Sequence, residues 1–180
     1  MDTIQIKDKK FTVSIKEQDI LKEVTRVANE INRDLAGKNP LFLSVLNGSF
    51  MFAADLFKVL ELTDAEISFL KLASYEGTTS SGELKQLIGL NENIKGRTVV
   101  VLEDIVDSGH TITDVVRQIE EKGAKEVKVA TLLFKPAALK TEVKLDYVGL
   151  EIPNDFIVGY GLDYDRRGRN LKDIYTLVKE

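Results

Sequence analysis

The chain is expected to be an α/β protein, a mostly parallel central sheet with helices on both faces. Two apolar runs, residues 41–46 and 99–102, lack the polar alternation of a half-exposed strand and so read as strands buried on both faces. These runs and residues 126–134 also alternate with helical patterns, and repeated strand and helix units of this length favour parallel pairing.

In chain order, residues 11–16 alternate and predict a short peripheral strand. Ile20, Leu21, Val24, Val27, Ala28, Ile31 and Leu35 recur at three- and four-residue steps, an amphipathic helix ended by Gly37. Both are expected to be scaffold. The strand at 41–46 runs into Asn47-Gly48-Ser49 and then an apolar helix over about 50–62. Residues 65–75 predict another strand, and 76–82 have no apolar residue and two glycines, as in a surface loop. A strand over 85–90 returns, and 91–96 turn into the central strand. Behind that strand Ile112, Val115, Val116 and Ile119 share one helix face, which stops at Lys122-Gly123.

With 180 residues the simplest reading is one domain with a sizeable core. The 43% hydrophobic and 30% charged content is that of an ordinary globular protein. A formal charge of −4 gives no electrostatic footprint for a general nucleic-acid binder, so a small molecule is the expected partner. There is no cysteine, which excludes disulfides, thiolate metal sites and cysteine nucleophiles. No apolar run reaches transmembrane length and Met1-Asp2-Thr3-Ile4-Gln5 is unlike a secretory signal, so no membrane partner and a cytoplasmic location are expected.

The chemistry concentrates at the end of the central strand. Glu103 and Asp104 close it, and Asp107-Ser108-Gly109-His110-Thr111 lead into the next helix. A small-residue loop at a helix start offers unpaired N–H donors and the positive end of the dipole, which favour a phosphate. Ser108 and Thr111 add hydroxyls, and Gly109 allows close approach. Carboxylates beside an anion site make sense if they face sugar hydroxyls or a hard cation such as Mg²⁺ that bridges ligand oxygens. A phosphorylated sugar with a metal satisfies both halves.

Residues 99–111, four hydrophobic, two acidic and then a small-residue loop ending in Thr111, resemble the signature of the type I phosphoribosyltransferases. The resemblance runs from about Phe11 to the C-terminus. It implies that family's fold, with a small hood at about 150–175, a flexible lid loop at about 75–85 and 5-phosphoribosyl-1-pyrophosphate as substrate. It makes Glu103, Asp104, Asp107, Ser108, Gly109, His110 and Thr111 phosphoribosyl-binding, with Asp107 also the general base near purine N7 and His110 serving through its backbone. Leu46-Asn47-Gly48-Ser49 resembles the pyrophosphate turn of the hypoxanthine-type enzymes, which contains a non-proline cis bond. Asn47 stands where they carry Lys, so the contribution expected there is from the Asn47 and Gly48 backbone. Ser74-Tyr75 resembles the pair at the base of the lid, and Arg169 has the spacing from Asp163 of an Arg that reaches pyrophosphate. Arg166 and Arg167 are expected to be surface.

Phe134-Lys135-Pro136 resembles the purine-reading element of the six-oxopurine enzymes. An ammonium donor at Lys135 suits an exocyclic carbonyl and disfavours a six-amino purine. Residues 152–164 carry the rest of the resemblance, which implies that Phe156 stacks on the base, that the Ile157 backbone bonds its edge, and that Asp163 lies by the purine and joins a second metal besides the one at Glu103 and Asp104. The implied activity is Mg²⁺-dependent phosphoribosyl transfer to N9 of hypoxanthine, and guanine too, by a homodimer or homotetramer. A regulatory protein that binds phosphoribosyl pyrophosphate, or a transferase for xanthine or another base, are the alternatives. Three other patterns fail: Tyr164 replaces the third glycine of a dinucleotide fingerprint starting at Gly159, Arg167 and Ile174 break an EF-hand starting at Asp163, and there is no Walker A sequence.

Overall fold

The computed structural model describes residues 3–74 and 85–179. Along the chain these form β1 (Thr3–Ile6), β2 (Lys9–Ile15), α1 (Glu17–Leu35), β3 (Leu41–Val45), α2 (Phe50–Val59), β4 (Glu66–Ser74) and β5 (Lys85–Ile88). Then come β6 (Thr98–Val106), α3 (His110–Glu121), β7 (Glu126–Phe134), a single 3-10 turn (Pro136–Ala138), β8 (Tyr147–Glu151), β9 (Ile157–Val158) and β10 (Ile174–Leu177).

The main sheet has the order β5-β4-β3-β6-β7-β8. From β4 to β8 every pairing is parallel, and only the edge strand β5 is antiparallel. The apolar runs are buried on both faces because alternate residues enter different cores. Leu41, Leu43, Val99 and Val101 pack with Ile112, Val115 and Ile119 of α3, whereas Phe42, Val100 and Leu102 pack with α1 and α2. Of the apolar stripe on α1, Ile20, Val24, Val27, Ala28, Ile31 and Leu35 are buried and Leu21 lies exposed at its margin.

Several boundaries differ from the sequence expectation. The strand expected at 11–16 begins at Lys9 and is no isolated peripheral piece: it pairs with β1 and with β10 in a second sheet ordered β1-β2-β10-β9. That sheet draws β9 and the first half of β10 from the 150–175 stretch and β1 and β2 from outside it. The helix expected over 50–62 ends at Val59, where Leu60 turns extended and the Glu61 N–H donates to Asn32 Oδ1 of α1 at 2.9 Å. The strand expected over 85–90 stops at Ile88, because Gly89 follows with φ +94° and lies against the Phe69 carbonyl. Most of the residues expected as a lid, 75–84, lie outside the described residues. No helix among the described residues is long and apolar enough to cross a membrane.

Candidate active site

The sheet order itself selects a location. From β3 the chain crosses by α2 to β4 on one side, and from β6 it crosses by α3 to β7 on the other. Right-handed crossovers in opposite directions put α2 and α3 on opposite faces and leave a crevice between β3 and β6 at their C-terminal ends. The loops after β3, β6 and β7 therefore open side by side. They carry Asn47-Gly48, Glu103 to Thr111, and Lys135.

At the β6 tip a cavity of about 230 Å³ is lined by Glu103, Asp104, Asp107, Gly109 and Thr111, among others. Glu103 is only 6% exposed, and its Oε1 is buried without a hydrogen-bond partner. Burial first, and then the neighbouring Asp104 charge, push the Glu103 carboxyl well above the ordinary carboxylate range. Burial also raises Asp104, against the pull of the Ile105 N–H that donates to it at 2.7 Å. Asp107 is exposed and accepts from the Ser108 N–H. Gly109, at φ +84°, makes the turn into α3, and Thr113 caps that turn by donating from N and Oγ1 to the Gly109 carbonyl at 3.1 and 2.8 Å. His110 and Thr111 are exposed at the helix mouth.

Beside this lies the turn after β3. The Leu46–Asn47 peptide is cis, matching the resemblance. Gly48 is packed so that a Cβ would strike the Asp104 carboxylate. The neighbouring Ser49 hydroxyl bonds Ser44 Oγ at 2.6 Å and donates to the Val45 carbonyl, tying the turn to its strand. Across the crevice Gly161, at φ +95°, lies against the Gly48 carbonyl with no room for a side chain. Arg169 holds both ends of this wall: Nη1 donates to the Gly161 carbonyl at 2.7 Å and Nη2 pairs with Asp163 at 2.9 Å. Tyr160 donates its hydroxyl to Asp55 of α2 at 2.6 Å and anchors the same turn. Sequence reasoning gave no role to Gly161, Tyr160 and Ser44 and named Ser49 only as part of the turn; the paired glycines flanking Tyr160 are the one signal of an unusual backbone there.

Lys135 follows β7 with only 9% of its surface exposed, and its Nζ donates to the Asp155 carbonyl at 2.7 Å. Two further ammonium protons remain for another acceptor. Phe156 is 46% exposed, with Phe11 and Tyr164 rings at 6.2 and 5.9 Å between centroids. A flat exposed face supported from below suits a stacked heterocycle. Ile157 instead sends its side chain into the core, 8% exposed, leaving its main chain for any such site. Arg166 and Arg167 are exposed. Ser74 ends β4 opposite Lys85, and Tyr75 lies outside the described residues. A larger hollow of about 660 Å³ sits at the opposite end of the sheet, around Lys38, Arg97, Lys125 and Glu126. It adjoins the strand starts, away from the converging loops, so it does not compete with the β6 tip.

Residues 13–165 match the phosphoribosyl transferase domain family. A hypoxanthine-guanine phosphoribosyltransferase of Streptococcus agalactiae serotype V is 44% identical over 165 residues, 91% of either chain. The bifunctional protein TilS/HprT of Listeria monocytogenes is 44% identical over 169 residues, 93% of this chain. The aligned part is 26% of that protein, so the chain spans about a quarter of this relative's length. Among solved structures, a hypoxanthine phosphoribosyltransferase from Staphylococcus aureus superposes with a TM-score of 0.85 at 34% identity, covering 93% of this chain and 91% of its own.

Proposed function

The chain belongs to the phosphoribosyltransferase family, among the hypoxanthine-guanine enzymes of the type I fold, and from that premise we propose a reaction and a role for each residue. The enzyme transfers phosphoribosyl from 5-phosphoribosyl-1-pyrophosphate to N9 of hypoxanthine, and of guanine, in purine salvage. The observation that carries this is the meeting of an acidic strand tip, a phosphate-type turn and a buried lysine on three adjacent strand ends.

The 5-phosphate sits at the helix opening made by Ser108, Gly109, His110 and Thr111, where α3 presents N–H groups that lack helical partners. Glu103 and Asp104 accept from the ribose hydroxyls. The orphaned Glu103 Oε1 and adjacent Asp104 are hard oxygen donors, which fits Mg²⁺. Among the described residues no three acidic or histidine side chains gather into a ready cage, so substrate and water oxygens would have to complete the coordination. Glu103 and Asp104 would hold one ion and Asp163 a second, and ions there would neutralise charge on the departing pyrophosphate.

The Asn47 and Gly48 backbone and Arg169, with Ser74 and Tyr75, receive the pyrophosphate, the guanidinium fork matching its oxygens. Lys135 donates to the six-oxo group, Phe156 stacks on the ring and the Ile157 main chain borders it, with Asp163 close by. The N9–C1′ bond forms as the C1′–oxygen bond to pyrophosphate breaks, with oxocarbenium character between them. The proton leaving the purine passes to the exposed Asp107 carboxylate. Exposed Ile67 and Phe69 on one face of β4 support assembly as a homodimer or homotetramer.

Incubating the protein with phosphoribosyl pyrophosphate, Mg²⁺ and each of hypoxanthine, guanine, xanthine and adenine tests the reading. Nucleotide and pyrophosphate in equal amounts from hypoxanthine and guanine are expected, with none from adenine. No product from any six-oxopurine refutes it.

A further inference from the structure

The phosphate cradle is not held by its own turn alone. After β7 the chain passes Lys135 and the 3-10 turn and comes back onto the β6 tip. The Lys135 N–H donates to the Val106 carbonyl at 2.9 Å, and those of Lys140 and Thr141 donate to the Ser108 carbonyl at 3.0 and 3.2 Å. The Gly109 Cα is pressed by the Leu139 side chain and the Thr141 carbonyl, each 3.0 Å from where a Cβ would stand. The clasp closes with a side-chain bond: Thr141 Oγ1 lies 2.9 Å from Nδ1 of His110, the chain's one histidine.

We infer that Thr141 is a positioning residue for the phosphate end of the substrate, holding the His110 ring and the opening of α3 in place at the cradle. The inference rests on the reading of residues 108–111 as the phosphate site. A hydroxyl is suited to this task because it can donate to a bare Nδ1 or accept from Nδ1–H, so the bond holds the ring in either tautomer. The ring stands at the first residue of α3, so fixing it also fixes the N–H groups opening the helix. Binding then requires less ordering of the loop.

Thr141→Val keeps the shape and removes the hydroxyl, whereas Thr141→Ser keeps the hydroxyl. Thr141→Val is expected to raise KM for phosphoribosyl pyrophosphate about three- to ten-fold, the scale of one lost hydrogen bond. The kcat and the KM for hypoxanthine should stay within about two-fold, since the clasp acts on ground-state binding of one substrate. Thr141→Ser should behave as wild type. His110→Ala should reproduce the Thr141→Val shift, and the double variant should add nothing further. Because there is one histidine, its ring ¹H–¹³C signals report its mobility directly. They should show an ordered ring in wild type and a more mobile one in Thr141→Val. An unchanged KM in Thr141→Val, an equal loss in Thr141→Ser, additive single effects, or an unchanged ring mobility would each overturn the inference while leaving the transferase reading intact. A wild-type protein that makes no nucleotide removes that reading and this inference together.

Discussion

A methyl group at position 48 would land on the Asp104 carboxylate, while the Gly48 carbonyl already faces Gly161. Gly48→Ala must therefore displace either the acidic tip or the pyrophosphate turn. A fall in kcat/KM of about 100-fold is expected, the usual consequence of ångström-scale misplacement. The loss in unfolding free energy should be smaller, at most about 2 kcal/mol by urea titration, because the turn lies at the crevice edge. Asp107 offers a cleaner substitution. Asn at 107 retains an oxygen to accept from the Ser108 N–H, so the loop keeps its turn and only the proton acceptor is lost. Asp107→Asn should lower kcat about 10²- to 10³-fold in steady-state assays and leave KM for phosphoribosyl pyrophosphate within about three-fold. An unaltered kcat would remove Asp107 from the role of base.

Among the elements, β3 and β6 divide the two cores between them, so a single truncation on one strand samples one face. Phe42 is fully buried on the α1 and α2 side, its ring 5.1 Å from that of Phe57 in an edge-on arrangement of 84°. Phe42→Ala should cost about 3–5 kcal/mol in denaturant unfolding, from lost transfer energy plus the cavity. Activity per folded molecule should be nearly unchanged, because Phe42 lies within the strand and away from its C-terminal tip. The α1 helix is fixed at its other flank by Arg26, which donates from Nη2 to the Val148 and Gly149 carbonyls at 2.6 and 3.0 Å and pairs with Glu23 and Glu30. This clasp orients α1 against β8.

Over the whole molecule two tyrosines join layers through carboxylates. Tyr147 of β8 donates to Asp34 of α1 at 3.1 Å, and Tyr160 donates to Asp55 of α2 at 2.6 Å. Burial, and then the partner carboxylate, raise both phenols well above their ordinary range. In the unfolded chain both ionise near pH 10. Their folded values being higher, their contribution is complete below about pH 10 and is lost as pH rises further, by up to about 1.4 kcal/mol per pH unit for each. Stability measured by urea titration between pH 9 and 11 should therefore fall less steeply in Tyr147→Phe and in Tyr160→Phe than in wild type. Equal slopes would show that these phenols do not govern the alkaline limb.

The sequence by itself determined the parallel sheet, because two uninterrupted apolar runs admit little other than strands covered on both faces. It also determined the contents of the β6 tip, where the acidic pair, the left-handed Gly109 and the start of α3 fall within a short stretch, 103–110, and the pair and the glycine line one cavity. Tertiary structure alone decided what stands opposite them. The strand Lys9–Ile15 finds its partner at Ile174–Leu177, Gly161 admits the Gly48 carbonyl, Thr141 reaches His110, and Arg169 pairs with Asp163. No periodicity records such pairings: hydrophobic pattern encodes which face of an element is buried, whereas distant contacts depend on how the elements stack, which is fixed only when the chain closes on itself.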